Sequence, residues 1–219
     1  MDTISINGPL LAPVKDGAPK GLVILLHGFG GNGEHMIALG KNLQSYFPDL
    51  VFAAPNGPIT LQPSSHAWIR LSIPITDQML QDGAVQVMPS LLEYIQQLQQ
   101  KFQLSNNQVV LLGFSQGAIM ALQVGVYSTA APAGVVALAG FLPALAFKEK
   151  VISTPPVFLI SGEEDTKVTP QMVTQTAVGL QQAGLAPQQH LVPAMGHAID
   201  QQAFALVVNI LKKILYQLV

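Results

Sequence analysis

The chain of 219 residues contains no cysteine. Disulfide bonds, zinc–thiolate sites and a thiol nucleophile are therefore excluded. Charge is scarce as well: charged residues make up 10% of the chain, and the formal net charge is −2. No basic excess marks a surface for nucleic acid or an anionic membrane. Long hydrophobic runs are missing. The longest apolar stretch, Gly134 to Phe147, is too short to span a bilayer and is interrupted by Pro143. The start, Met1-Asp2-Thr3-Ile4-Ser5, lacks the positive segment and apolar core of a secretory signal. No repeat, charge block or linker divides the sequence. A cytoplasmic protein without stable membrane insertion is the expectation, with residues 1–219 forming one domain.

What is abundant is apolar surface, at 49% of residues. It is arranged in short β-rich runs: Leu22 to Leu26, Val51 to Ala54, Val109 to Leu112, Val135 to Ala139, Val157 to Ile160, and Gln189 to Val192. These are nearly continuous rather than alternating, which suits strands covered on both faces. Helical stretches separate most of them: His35 to Tyr46, Asp77 to Phe102, Gln116 to Tyr127, Pro170 to Ala183, and Ile199 to Leu218. Strand–helix alternation predicts an α/β fold, a mostly parallel central sheet with helices on both faces. The glutamine-rich segment Gln96 to Gln103 keeps Leu91, Ile95, Leu98 and Phe102 at helical spacing and reads as a solvated helix face. Two segments break the alternation, Gly57 to Thr76 and Gly140 to Lys150. Excursions of this kind at carboxyl strand ends border the ligand crevice of an open α/β sheet.

Within this pattern, Gly113-Phe114-Ser115-Gln116-Gly117 follows the run Val109 to Leu112 and opens a helical segment. Strand, G-x-S-x-G and helix form the context of a nucleophile elbow. The turn is so tight that small residues must bracket the serine. Alone, the pentapeptide is a weak signal in a chain with 19 glycines, so the case depends on the remaining machinery. An activated serine needs a base and a group that holds the base in one tautomer, and in α/β-hydrolases the order is serine, acid, histidine. His197 follows the run Gln189 to Val192 and Asp165 follows the strand Val157 to Ile160, so Ser115, Asp165 and His197 are the expected catalytic residues. Glu163, Glu164 and Asp200 are the other acids in range. Two backbone N–H groups must receive the developing oxyanion. Gln116 supplies one, and Phe29, in the loop His27 to Gly33 after an early strand, supplies the other. His27 reads as a structural hydrogen-bonding residue rather than a second base.

The same loop contains a competing motif. Gly28 to Gly33 fits G-x-G-x-x-G between strand and helix, as in a nucleotide-binding oxidoreductase. That fingerprint needs an acid at the end of the next strand for ribose. The nearest one, Asp49, precedes the strand Val51 to Ala54, so this alternative is disfavoured.

The motifs Leu25-Leu26-His27-Gly28-Phe29-Gly30, Ala53-Ala54-Pro55-Asn56, Ala67-Trp68, Gly113 to Gly117, Gly162 to Asp165 with Val168, and Gly196-His197 resemble the phospholipase/carboxylesterase family, which includes acyl-protein thioesterases. The resemblance implies an α/β-hydrolase without a large lid domain and a triad of Ser115, Asp165 and His197. It also implies an oxyanion hole at Phe29 and Gln116, and hydrolysis of carboxylic esters or thioesters with no cofactor and no metal. Members often form homodimers. The chain departs from the family at Ala118, where a second glycine is usual, and at Trp68-Ile69-Arg70, where Trp-Phe-Asp is common. Trp68, Ile69, Leu71 and Ile73, with Phe141, Leu142 and Leu145, fit an apolar substrate groove and fit plain packing on the core equally well. The groove is the working expectation, for esters of short- to medium-chain acids. Acyl-protein thioesterase and lysophospholipase chemistry remain open, since the leaving group is not encoded in these motifs.

Overall fold

The computed structural model describes residues 6–216. Its sheet is built from β1 (Leu10–Leu11), β2 (Gly21–Leu26), β3 (Leu50–Ala53), β6 (Val109–Phe114), β7 (Gly134–Leu138), β8 (Val157–Gly162) and β9 (Gln188–Val192), in the order β1-β3-β2-β6-β7-β8-β9. A two-stranded hairpin, β4 (Ile59–Gln62) and β5 (Ser65–Ala67), stands apart from it. The helices are α1 (Gly33–Gln44), α2 (Asp77–Phe102), α3 (Gln116–Tyr127), α4 (Pro170–Gln182) and α5 (Gln201–Tyr216). The expected end of the last helix at Leu218 lies outside the described residues. In the seven-stranded sheet all pairings are parallel except that of the short strand β1 with β3, and β4 pairs with β5 antiparallel. Neither β1 nor the hairpin was expected from the sequence, because both are too short for a hydrophobic period to emerge.

The continuous apolar runs have the predicted cause. Every residue of β2, β3, β7 and β8 is buried. In β2, Leu22, Ile24 and Leu26 face the core formed with α2, α3 and α4, while Val23 and Leu25 face the one formed with α1 and α5. The strand therefore has no solvated face on which polar residues could alternate. Edge strand β9 is the exception: Gln188, Gln189 and Leu191 are exposed, and the polar side chains blunt a free edge. In α2, Gln96, Gln97, Gln100 and the following Gln103 are exposed while Leu91, Ile95 and Leu98 are buried, so the glutamine run is a solvated helix face.

Strand β2 lies between β3 and β6. The loops leaving the carboxyl ends of β2 and β6 run to opposite faces, toward α1 and α3. This reversal of strand order opens a crevice at the sheet edge, where α/β proteins bind ligands. Helix α3 is buried along all 12 residues, clamped between the sheet and α2. It is a rigid mount for whatever sits at its amino end. Among the described residues, no helix is long and apolar enough to cross a membrane.

Candidate active site

Ser115 sits between β6 and α3 with φ 54° and ψ −118°. This is a strained conformation for a residue with a Cβ, costing on the order of 1–3 kcal/mol. Surrounding contacts enforce it. The Ser115 N–H donates to the Leu138 carbonyl at 2.9 Å, and the Ser115 carbonyl accepts from Ala118 N–H at 2.9 Å. A Cβ at Gly113 would overlap the Gly117 backbone, and one at Gly117 would overlap the Leu26 carbonyl. The bracketing glycines are thus required by close backbone approach. Ala118, where the related family has glycine, faces Gly140, and a Cβ on Gly140 would overlap that of Ala118. The space lost on one side of the contact is returned on the other.

The residues expected to act with Ser115 converge on it. His197 Nε2 lies 3.0 Å from Ser115 Oγ, and His197 Nδ1 lies 2.7 Å from Asp165 Oδ2. A carboxylate can only accept, so in the neutral ring Nδ1 carries the proton and Nε2 is left to accept from the serine hydroxyl. Asp165 is buried, and its second oxygen, Oδ1, accepts from the N–H groups of Lys167 at 2.9 Å and Val168 at 3.0 Å. Those bonds fix the carboxylate so that Oδ2 faces the imidazole. The Phe114 ring packs on His197, with centroids 5.0 Å apart. The remaining acids are elsewhere. Glu163 and Glu164 are exposed, and Asp200 accepts from Ala203 N–H at 2.8 Å at the start of α5.

The glycine loop resolves the competing motif. Gly30 N–H donates to the His66 carbonyl, Gly31 N–H to the Gly28 carbonyl, Gly33 N–H to Asn56 Oδ1 and His35 N–H to Asn32 Oδ1. Three of the motif's own N–H groups, those of Gly30, Gly31 and Gly33, are therefore taken by protein acceptors and are not offered to a pyrophosphate. Asp49 is held by Lys20 and the Tyr216 hydroxyl at the amino end of β3, far from the place of a ribose partner. Among the described residues, Phe29 N–H and Gln116 N–H have no protein acceptor. Both residues line the same cavity as Ser115 and His197. No group of three or more His, Asp or Glu side chains among the described residues is placed to hold a metal ion.

Gln116 has a second attachment that sequence reasoning missed. Its side-chain oxygen accepts from Trp68 N–H at 2.8 Å and Ile69 N–H at 3.2 Å, and its amide donates to the Ile69 carbonyl at 2.8 Å. Trp68 Nε1–H in turn donates to the His27 carbonyl at 2.9 Å. The loop after β5 is therefore bound to both the elbow and the glycine loop.

The cavity over Ser115 has a volume of about 490 Å³. Its walls include Leu71, Ile75, Leu80, Ile119, Phe141 and Met172. The groove expectation needs correction at five positions. Leu71 and Phe141 line the cavity. Trp68 and Ile69 do not, because the bonds to Gln116 pull them into the core. Ile73 is 97% exposed on the outside of the loop. Leu142 is buried and contributes to a neighbouring cavity over α4, held there by donation from its N–H to Thr176 Oγ1. Leu145 lines neither cavity. Arg70 is exposed and outside the cavity wall, so the acid-to-base departure does not reach it. Leu80, Ile119 and Met172 gave no sequence signal, since each reads as an ordinary apolar position of a helix.

Fold and comparisons define a carboxylic ester hydrolase of the α/β-hydrolase class, without a large lid. The chain belongs to the phospholipase/carboxylesterase family, whose sequence model matches residues 13–215. It is 28% identical over 183 residues to esterase YpfH of Escherichia coli (strain K12), covering 83% of this chain and 78% of that protein. The crystal structure of esterase PE8 is similar with a TM-score of 0.89 and 32% identity, covering 96% of this chain and 100% of that one. The carboxylesterase of Bacillus cereus shares the fold, with a TM-score of 0.75 at 19% identity over 94% of this chain and 93% of that one.

Proposed function

We propose that the chain is a serine carboxylesterase that cleaves small esters of short- to medium-chain acids through an acyl-enzyme on Ser115. The observation that carries this reading is the unbroken hydrogen-bond chain from Ser115 Oγ through His197 to Asp165. In the proposed cycle His197 Nε2 takes the Ser115 proton as Oγ attacks the acyl carbon. The Phe29 and Gln116 N–H groups receive the oxyanion, each such donor being worth about 3–4 kcal/mol of barrier. His197 then returns the proton to the leaving alcohol, and water repeats the sequence to release the acid. Asp165 holds the imidazole tautomer throughout. The 490 Å³ cavity supports an acyl chain, since Leu71, Ile75, Leu80, Ile119, Phe141, Val168 and Met172 make its wall mainly apolar, with Thr76, Asp77 and Lys167 as polar members of the lining.

The test is covalent labelling by a fluorophosphonate together with hydrolysis of p-nitrophenyl esters of increasing chain length. Labelling and turnover that disappear in Ser115→Ala, with a preference for chains beyond acetate, support the reading. Folded protein that is not labelled overturns the mechanism, and a preference for acetate alone overturns the acyl-chain assignment.

A further inference from the structure

His27 is buried to 1% exposure beside the site but touches none of the reacting groups. Its two ring nitrogens are both committed. Nε2 lies 2.8 Å from Gly57 N, and because a backbone N–H only donates, Nε2 is the acceptor. The proton must then sit on Nδ1, which donates to the Gly28 carbonyl at 2.7 Å. That carbonyl belongs to the same planar peptide unit as the Phe29 N–H, and in a trans peptide the two point in opposite directions. Fixing one end fixes the other.

We propose that His27 is a positioning residue that aims the Phe29 N–H at the oxyanion by donating from Nδ1 to the Gly28 carbonyl. The inference rests on reading Phe29 as an oxyanion donor. Three further contacts support a held orientation. Gly31 N–H donates to the same Gly28 oxygen at 3.0 Å, so the peptide plane is pinned twice. The Trp68 ring packs on the imidazole with centroids 5.3 Å apart. Trp68 Nε1–H ties down the His27 carbonyl. The effect is also electronic. Negative charge forming beyond the Phe29 N–H draws electron density toward the Gly28 oxygen, which strengthens the bond from Nδ1. A contact that strengthens as charge develops stabilises the transition state more than the ground state. Burial lowers the His27 pKa to about 4, so the ring stays neutral and the tautomer holds across the working pH range.

Two variants separate positioning from mere support of the fold. In asparagine the side-chain amide occupies the place of Nδ1, and in glutamine the terminal carbonyl oxygen reaches the place of Nε2. His27→Asn keeps the donor to Gly28 and loses the acceptor for Gly57, while His27→Gln does the reverse. The expected result is a kcat loss of roughly 10- to 100-fold in His27→Gln, a fraction of a whole oxyanion donor. KM should stay nearly constant, and affinity for a trifluoromethyl ketone should fall in parallel. His27→Asn should recover most of kcat. Equal kcat values in the two folded variants, or a loss confined to KM, overturn the proposal. Wild-type protein provides a test that needs no variant. Nitrogen-15 histidine spectra should show His27 protonated on Nδ1, with that proton moving downfield when the ketone adds to Ser115. An Nε2–H tautomer, or no movement, also overturns it. Fluorophosphonate labelling of Ser115 is scored separately, so failure of the nucleophile assignment is distinguished from failure of the His27 role.

Discussion

The Gln116 carboxamide is bonded to the backbone of Trp68 across a sequence separation of 48 residues. One residue therefore offers its backbone N–H to the cavity and uses its side chain to hold the loop that holds the glycine loop. The two expected oxyanion donors, on β2 and β6 loops, are coupled through a third segment that contributes no reacting group.

Gln116→Ala leaves the backbone N–H in place but removes three hydrogen bonds to residues 68 and 69. Buried donors left without partners cost about 1–3 kcal/mol each. Allowing for partial relaxation, the variant should lose about 2–4 kcal/mol, a fall in Tm on the order of 10 °C. Thermal melts and kcat on the same samples check this. A variant as stable as wild type would show that the clamp is dispensable.

Asp165→Asn should retain the fold, since the amide oxygen can still accept from Lys167 and Val168 N–H. The amide NH₂ then faces His197 Nδ1 and favours the wrong tautomer. A kcat reduction of about 10⁴-fold with little change in Tm is expected, by the general behaviour of such triads. Steady-state kinetics on p-nitrophenyl butyrate, with a melt as control, provides the measurement.

Gly140→Ala places a methyl group on the Ala118 Cβ behind Ser115. Overpacking of this kind costs about 1–3 kcal/mol. Adding Ala118→Gly should restore much of the loss, giving a double-mutant coupling that exceeds about 0.5 kcal/mol. Additive denaturation midpoints would mean that the two positions do not share the space.

His27 also predicts a pH dependence of stability. Its folded pKa is lowered to about 4, through desolvation first and then the neighbouring His66 and His35, while the Gly28 bond opposes the shift. The unfolded chain binds the extra proton below about pH 6.5. The neutral ring's contribution is therefore fully present above pH 6.5 and is lost as pH falls toward 4. Its size is on the order of 3 kcal/mol. Urea unfolding of wild type and His27→Asn at pH 7 and pH 4.5 isolates the residue, because the other titrating groups are common to both. Equal slopes with pH would contradict it.

Loop exposure separates two isoleucines. Ile73→Ser should leave the acyl-chain profile unchanged, since Ile73 is 97% exposed. Ile75→Trp, on the cavity wall, should shift preference toward shorter acids. A chain-length series of p-nitrophenyl esters on both variants tests the contrast.

Much of this molecule is legible along the chain. The parallel sheet was visible because β2, β6, β7 and β8 are buried on both faces, and such strands must be apolar without alternation. Ser115, Asp165 and His197 were nameable because each follows its own strand, and the carboxyl ends of parallel strands lie along one edge. The glycines at 113 and 117 were required by the tightness of a local turn. What the linear sequence could not express are contacts between segments with no shared period. Trp68, Ile69, Leu71 and Ile73 look alike in sequence, yet the Gln116 clamp buries two of them, leaves one on the cavity and turns the last to solvent. The G-x-G-x-x-G loop is likewise ambiguous until His66, Asn56 and the Gly28 carbonyl take the N–H groups of Gly30, Gly33 and Gly31 and leave Phe29 N–H without a protein acceptor among the described residues. Local order is written in nearest-neighbour sterics and hydrophobic period, whereas the direction of a single N–H depends on partners tens of residues away and is decided only when the chain closes on itself.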